Sequence, residues 1–156
     1  MNNSRFAIAE LVPLIVEVTE GGGEFELYPR GTSMLPLITQ DRDCVILVKP
    51  QKSISLGDIV LYRRESGQIV LHRVVGVDGD SFTMCGDNQL KLERGIGRDQ
   101  IIALVSSLKI NGKTVDCGSK KYRRWVKRWL FMPYRRLALK LYRMKNAKTD
   151  RAVSDN

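Results

Sequence analysis

The sequence predicts a mainly β protein: a compact, mostly antiparallel β domain with a short N-terminal helix and a basic amphipathic C-terminal helix. Three observations support this fold class. Short runs rich in β-branched residues alternate with turns of Gly, Asp and Asn, as in antiparallel sheets. The dipeptide Asn111-Gly112 is a strong hairpin signal. After residue 119 the apolar residues recur at spacings of three and four, which is typical of a helix.

The 156 residues are sufficient for one domain with an appendage, and a hydrophobic share of 43% is sufficient for a core. We divide the chain into four segments. They are an N-terminal helix with a Gly linker (1–23), a β-rich domain (24–118), a basic amphipathic helix (119–145) and a flexible tail (146–156).

The apolar segment 5–18 is interrupted by two glutamates and a proline. It is shorter than the ~20 residues that a membrane-spanning helix requires, and no cleavage-like site of small residues follows it. We expect a short helix that has N-cap candidates at 2–4 and is ended by the glycines at 21–23. Packing on a sheet is the favoured role, and an interfacial anchor is the alternative.

The β-rich domain contains a series of strand-like runs. The continuous apolar run at 45–48 is typical of a buried strand. Strands are predicted at 24–29, 45–48, 59–62, 69–77, 81–84, 101–110 and 113–115.

In the segment 119–145, Lys and Arg fill the positions between the apolar residues. We predict one helix, bent at Pro133. Trp125 and Trp129 beside basic residues are suited to the headgroup level of an anionic bilayer. The alternatives are a helix docked on the β domain with its basic face in solvent and, less favoured, a nucleic-acid contact.

The net charge of +9 is concentrated in the C-terminal part of the chain. Residues 1–118 carry 13 Lys and Arg against 15 Asp and Glu, whereas residues 119–156 carry 13 against two. Such a basic segment favours an anionic partner. Because no export signal is evident, we expect a cytoplasmic protein that is peripheral to the membrane if this segment binds lipid.

The three cysteines, Cys44, Cys85 and Cys117, show no metal-binding spacing, and the chain has a single histidine. We therefore expect no disulfide framework, no metal site and no cofactor. Reduced thiols fit a cytosolic setting.

The candidate catalytic residues are a serine, a histidine and an aspartate. Ser33 lies in the turn-like segment 31–36 (GTSMLP), His72 lies within a predicted strand, and Asp87 lies in a Gly-Asp-Asn turn. A serine hydroxyl needs a base to remove its proton, and histidine serves near neutral pH. A carboxylate then orients the imidazole and stabilises its protonated form. These three residue types are the components of a hydrolytic triad.

Four motifs, in this order and at these separations, resemble the signal peptidase I family of the LexA/signal-peptidase superfamily. They are GTSMLP at 31–36, LGDIV at 56–60, HRVV at 72–75 and GDN at 86–88, and the resemblance covers about residues 28–107. It implies a mostly β, coiled-sheet signal-peptidase/LexA-like fold, and an enzyme that cleaves leader or signal segments after small residues. It also implies that an unpaired sheet edge holds the substrate as an added strand.

The same resemblance implies a role for each motif residue. Ser33 matches the nucleophile. His72 occupies the general-base position, which is lysine in the usual bacterial enzymes and histidine in the endoplasmic-reticulum and sporulation type. Asp87 matches an aspartate linked to catalysis in that histidine type, and Asp58 matches a structural turn residue.

Two departures from the family pattern affect the interpretation. No transmembrane segment precedes the serine motif, and Gly31 stands where many members have a serine that donates to the oxyanion. Losing one such donor costs about 2.7–4 kcal/mol, which indicates a slow or specialised enzyme that retains the Ser33 backbone N–H. Two alternatives therefore stay open. One is a self-cleaving regulator, disfavoured by the absence of a lysine base and of a helix-turn-helix domain, and the other is a non-catalytic module that binds a membrane or nucleic acid.

Overall fold

An antiparallel sheet of eight strands forms the centre of the protein, so the predicted mainly β fold class is confirmed. The structure is a computed structural model that describes residues 7–50 and 53–154. The helices are α1 (Ile8–Glu20), α2 (Lys120–Trp129) and α3 (Met132–Ser154). The strands are β1 (Phe25–Leu27), β2 (Cys44–Val48), β3 (Ile59–Arg63), β4 (Ile69–Asp78), β5 (Ser81–Cys85), β6 (Glu93–Gly97), β7 (Ile101–Ile110) and β8 (Lys113–Asp116).

The sheet order is β1-β2-β7-β3-β4-β5-β6, and β8 pairs with β7. The long strand β7 pairs with β2, β3 and β8, so it joins the two halves of the sheet. Irregularities interrupt the register of four strand pairs, among them β3/β7 and β4/β5. Where such a shift is a β-bulge, it bends the strand and increases its local twist.

Two clusters of apolar side chains pack on the sheet, and β3 contributes to both. Ile59 and Leu61 belong to a cluster that also contains Ile15 of α1 and Val126 of α2. Val60 and its neighbours on the other face belong to a second cluster with β4, β5 and β6. Because successive side chains of a strand point to opposite faces, the continuous apolar run of β3 reflects burial on both sides.

The seven predicted strands all occur, with bounds that differ by up to two residues. Strand β6 was not predicted, because its sequence ERGIG contains two glycines and buries only Ile96. Helix α1 ends at Gly21 as predicted and contains Pro13, but it begins only at Ile8. The predicted N-cap candidates at 2–4 lie outside the described residues.

The prediction of one C-terminal helix bent at Pro133 is wrong, because the structure has two helices. The break lies at Leu130 and Phe131, and Pro133 occupies the first turn of α3, where a missing N–H is tolerated. Ser119 caps α2 by accepting a hydrogen bond from the Tyr122 N–H at 3.3 Å. Helix α3 continues past residue 145 to Ser154.

Within the ranges that the structure describes, no helix combines the length and the apolar character needed to cross a bilayer.

Helix α2 packs against the turn that precedes β3. Gly57 in this turn has a φ of +92°, and a Cβ atom there would lie 2.3 Å from Cγ1 of Val126. A side chain at position 57 is therefore excluded both by the backbone conformation and by the helix.

We expect Gly57→Ala to destabilise the protein more than Gly67→Ala. Gly67 has a similar φ of +86° but no atom within 4 Å of the added methyl group. Gly67→Ala should cost about 1–2 kcal/mol of unfolding free energy through backbone strain. Gly57→Ala should have the same cost from backbone strain and a further cost of about 1–3 kcal/mol, because Val126 must move. Urea unfolding measures both, and equal losses would contradict the close packing of α2.

Candidate active site

Ser33 lies half-buried in the loop between β1 and β2. The loop is anchored by two buried apolar side chains, Met34 and Ile38, which flank its central turn. The Ile38 N–H donates to the Met34 carbonyl at 3.0 Å. Gly31 has a φ of +91°, and its N–H donates to Oε1 of Gln40 at 2.7 Å. Packing of Met34 and Ile38 in the core therefore fixes the loop that carries Ser33.

The predicted Gly-Asp-Asn turn holds this serine loop directly. The Asn88 N–H donates to the Ser33 carbonyl at 2.8 Å, and Asn88 Nδ2 donates to the Thr32 carbonyl at 3.1 Å. A Cβ atom at Gly86 would lie 2.7 Å from the Ser33 carbonyl oxygen. Only glycine at this position allows the turn to approach the serine so closely.

Ser33 and His72 line the same cavity, which has a volume of about 310 Å³. Its walls include Leu27 at the end of β1, and Ile8 and Leu11 of α1. Among the described residues, no hydrogen bond joins Ser33 to His72. Catalytic hydrogen bonds are often loose without substrate, so the shared cavity is the relevant observation.

His72 is 1% exposed, and its Nδ1 atom contacts two side chains. The Tyr62 hydroxyl lies 3.2 Å from Nδ1, and Oε1 of Glu93 lies 3.4 Å from it. Arg64 pairs with Glu93 through two hydrogen bonds, one of them from Nε to Oε2 at 2.8 Å.

Burial lowers the pKa of His72 below its usual value, and the Glu93 carboxylate partly opposes this shift. Burial alone would raise the pKa of Glu93, but hydrogen bonds from Arg64 and Tyr62 keep it below the usual range. The imidazole is therefore neutral and the carboxylate charged near neutral pH, as a general base and its orienting partner require.

Asp87 is fully buried beside Arg73, the neighbour of His72 on β4. Arg73 donates from Nε to Oδ1 at 2.8 Å and from Nη2 to Oδ2 at 2.6 Å. Trp129 Nε1 also donates to Oδ1, at 2.9 Å. No hydrogen bond links Asp87 to His72 in the described part of the chain. The structure thus brings Ser33 and His72 to one cavity and places Asp87 behind it, so the triad role of Asp87 stays a prediction.

Two residues of the site, Tyr62 and Glu93, were missed by the sequence analysis. Tyr62 could have been found, because the β3–β4 hairpin pairs Val60 with His72 and so places Tyr62 diagonally next to the histidine. Glu93 carried no such signal, since it begins the unpredicted strand β6.

The three cysteines are free thiols. Burial raises the pKa of Cys85, which precedes the Gly-Asp-Asn turn, and raises the pKa of Cys44 and Cys117 to about 11. Such thiols are poor nucleophiles at neutral pH. Within the described residues, no group of three His, Cys, Asp or Glu side chains is placed to hold a metal ion.

Residues 5–114 match the model of a protein family described as Peptidase S24-like. The matched segment contains Ser33, His72, Asp87 and Glu93 and ends before α2. Neither curated proteins nor solved structures gave a match.

We expect Arg73→Met to lower the unfolding free energy by about 3–5 kcal/mol, because Asp87 would be left as an unpaired buried charge. Arg64→Met is the control. Its side chain is 30% exposed and that of its partner Glu93 is 19% exposed, so water partly replaces the lost partner and the cost should be smaller than in Arg73→Met. Chemical denaturation checks both, and a similar loss in the two variants would contradict the larger penalty expected for an unpaired charge at Asp87.

Proposed function

The chain belongs to the Peptidase S24-like family, and from that premise we propose that it is a serine endopeptidase with Ser33 as nucleophile and His72 as general base. The family includes serine peptidases and self-cleaving regulators. The observation that carries the proposal is the cavity that both side chains line. A buried, neutral imidazole and a serine that line one cavity supply the base and the hydroxyl that such an activation requires.

The proposed reaction follows the general serine-peptidase scheme. Ser33 Oγ attacks the peptide carbonyl carbon while His72 takes its proton, and His72 then protonates the departing amine. Water hydrolyses the resulting ester by the reverse proton path. Because Nδ1 faces Tyr62 and Glu93, Nε2 is the nitrogen left to serve the cavity. The Ser33 backbone N–H is the proposed oxyanion donor, since Gly31 offers no side chain.

We propose that the substrate is a leader or signal segment of another polypeptide, bound as an extended chain. Strand β1 supports this, because it pairs only with β2 among the described strands and leads directly into the cavity at Leu27 and Tyr28. Such an edge can accept an added strand through backbone hydrogen bonds. The apolar walls from α1 would receive one uncharged substrate side chain.

We assign different roles to the two carboxylates near His72. Glu93 is the proposed positioning residue, because its Oε1 is the carboxylate oxygen in contact with Nδ1. Asp87 is proposed to act further away, through Arg73 and through the turn that carries Asn88.

Incubation with a mixed peptide library, followed by mass spectrometry, tests the peptidase proposal. Ser33→Ala should reduce kcat/KM for any cleaved peptide by more than about 10³-fold. His72→Ala should reduce it by about 10²–10⁴-fold, the usual contribution of a general base. A fluorophosphonate should form an adduct on Ser33 that is lost in His72→Ala.

The matched control is Ser66→Ala, which changes an exposed serine in the β3–β4 turn. It should leave both readouts unchanged. If the folded wild type cleaves no peptide and forms no Ser33 adduct, or if Ser33→Ala cleaves normally, the peptidase proposal is wrong.

The pH profile tests the role of Glu93. The acidic limb of kcat/KM should report a His72 pKa below the ordinary value of about 6.5. Glu93→Gln removes a negative charge that stabilises the imidazolium, so the pKa should fall further and the limb should move to lower pH. The plateau rate should also decrease, by about tenfold or more, because the imidazolium formed during attack loses its partner.

Glu65→Gln is the control, because Glu65 is an exposed glutamate on the same hairpin as Arg64. Asp87→Asn should shift the limb less than Glu93→Gln, because Asp87 influences the pKa of His72 less strongly than Glu93 does. If Asp87→Asn moved the acidic limb of kcat/KM further than Glu93→Gln, Asp87 rather than Glu93 would be the residue that orients His72.

A further inference from the structure

One face of α3 packs against the Gly-Asp-Asn turn at residues 86–88. Arg135 is fully buried, and its Nη2 donates to the Gly86 carbonyl. One turn further, Leu139 is 2% exposed. Arg143 Nη2 donates to the Asn88 carbonyl at 3.0 Å. These contacts set the rotation of α3 about its own axis.

The opposite face of α3 is apolar and exposed. We call Tyr134, Leu137, Leu141 and Met144 the apolar stripe. Their exposed fractions are 38%, 57%, 57% and 51%. The spacings of three, four and three place these side chains in one line along the helix. Phe131, at the corner between α2 and α3, is also exposed, at 62%.

Exposed basic residues flank the apolar stripe. At about 100° per residue, Lys140 lies on one side of it and Lys145 on the other. Arg136 is exposed next to Lys140. Residues 132–147 contain no acidic side chain. An apolar line with cations along both sides fits the boundary between acyl chains and anionic headgroups, since lysine stems extend along the apolar part and their ammonium groups reach the phosphates.

We propose that the apolar stripe docks α3 in the plane of an anionic lipid bilayer. A second copy of the chain fits this face less well, because pairing two stripes would bring lysines of like charge together. A nucleic acid would pair with the cations but not with the four apolar side chains.

The residues that enter the lipid therefore differ from those expected from the sequence. Trp129 is 3% exposed and binds Asp87, so it is not available to a membrane. Because α3 also binds Gly86 and Asn88, a docked helix holds the Ser33 cavity at a set orientation near the bilayer surface. A substrate delivered along the membrane would reach the site without a spanning anchor.

Flotation of the full chain with lipid vesicles tests the proposal. Vesicles of phosphatidylcholine alone are compared with vesicles of equal parts phosphatidylcholine and phosphatidylglycerol. The wild type should float with the anionic vesicles, and a fraction should stay bound at high salt, because apolar insertion is not screened. Leu137→Glu/Leu141→Glu should reduce the bound fraction at least tenfold.

Leu14→Glu is the matched control, because Leu14 is a leucine on an exposed helix face of α1 and is 48% exposed. It should float like the wild type, and circular dichroism should show that all variants are folded. Flotation of the double variant at the wild-type level would overturn the proposal. So would a dimer in light scattering, without lipid, that the double variant converts to monomer, since the stripe would then be a dimer interface.

Discussion

The buried ion pair between Arg73 and Asp87 is the interaction on which the arrangement of the site depends. Two ions with no exposed surface are costly to bury unless their remaining hydrogen-bonding groups are satisfied. Here Arg73 Nη1 also donates to the Gly57 carbonyl at 2.9 Å and contacts the Tyr122 hydroxyl at 3.1 Å, while Trp129 donates to Asp87. The pair therefore joins strand β4, two turns and helix α2 in one network.

Side chains alternate between the two faces of the sheet along β4, so this strand contributes both to the network and to the cavity that Ser33 and His72 line. His72 and Arg73 are consecutive residues, so their side chains point to opposite faces of the sheet. One face presents the imidazole beside Tyr62, and the other presents the guanidinium to Asp87. Because the Asp87 turn also binds the Ser33 carbonyl through Asn88, strand β4 positions both His72 and the loop that carries Ser33.

The sequence was sufficient to predict the fold class and most strands, because apolar runs and turn residues are local properties. Ser33 and His72 were named from the order of motifs, and the structure places both at one cavity. The direction in which a turn residue points its side chain depends on residues that are distant in the sequence. The partner of His72 Nδ1 was therefore not predictable from the presence of a Gly-Asp-Asn turn, and Glu93 begins a strand that lacks an apolar pattern. A C-terminal helix was predicted, but the sequence does not show which of its apolar residues are buried against the β domain and which are exposed. Trp129 is inside, and Leu137 is outside.

The contacts of α2 and α3 with the Gly86–Asn88 turn form late in synthesis, because both helices come after the β domain in the chain. The family match ends at residue 114, yet Trp129 and Arg135, which bind this turn, come later in the chain. A ribosome releases Ser33, His72 and Asp87 before it releases these two residues. A nascent chain therefore carries these three residues while the turn that contains Asp87 still lacks its contacts with Trp129 and Arg135. The last two helices to be translated therefore complete the contacts that hold the Gly86–Asn88 turn.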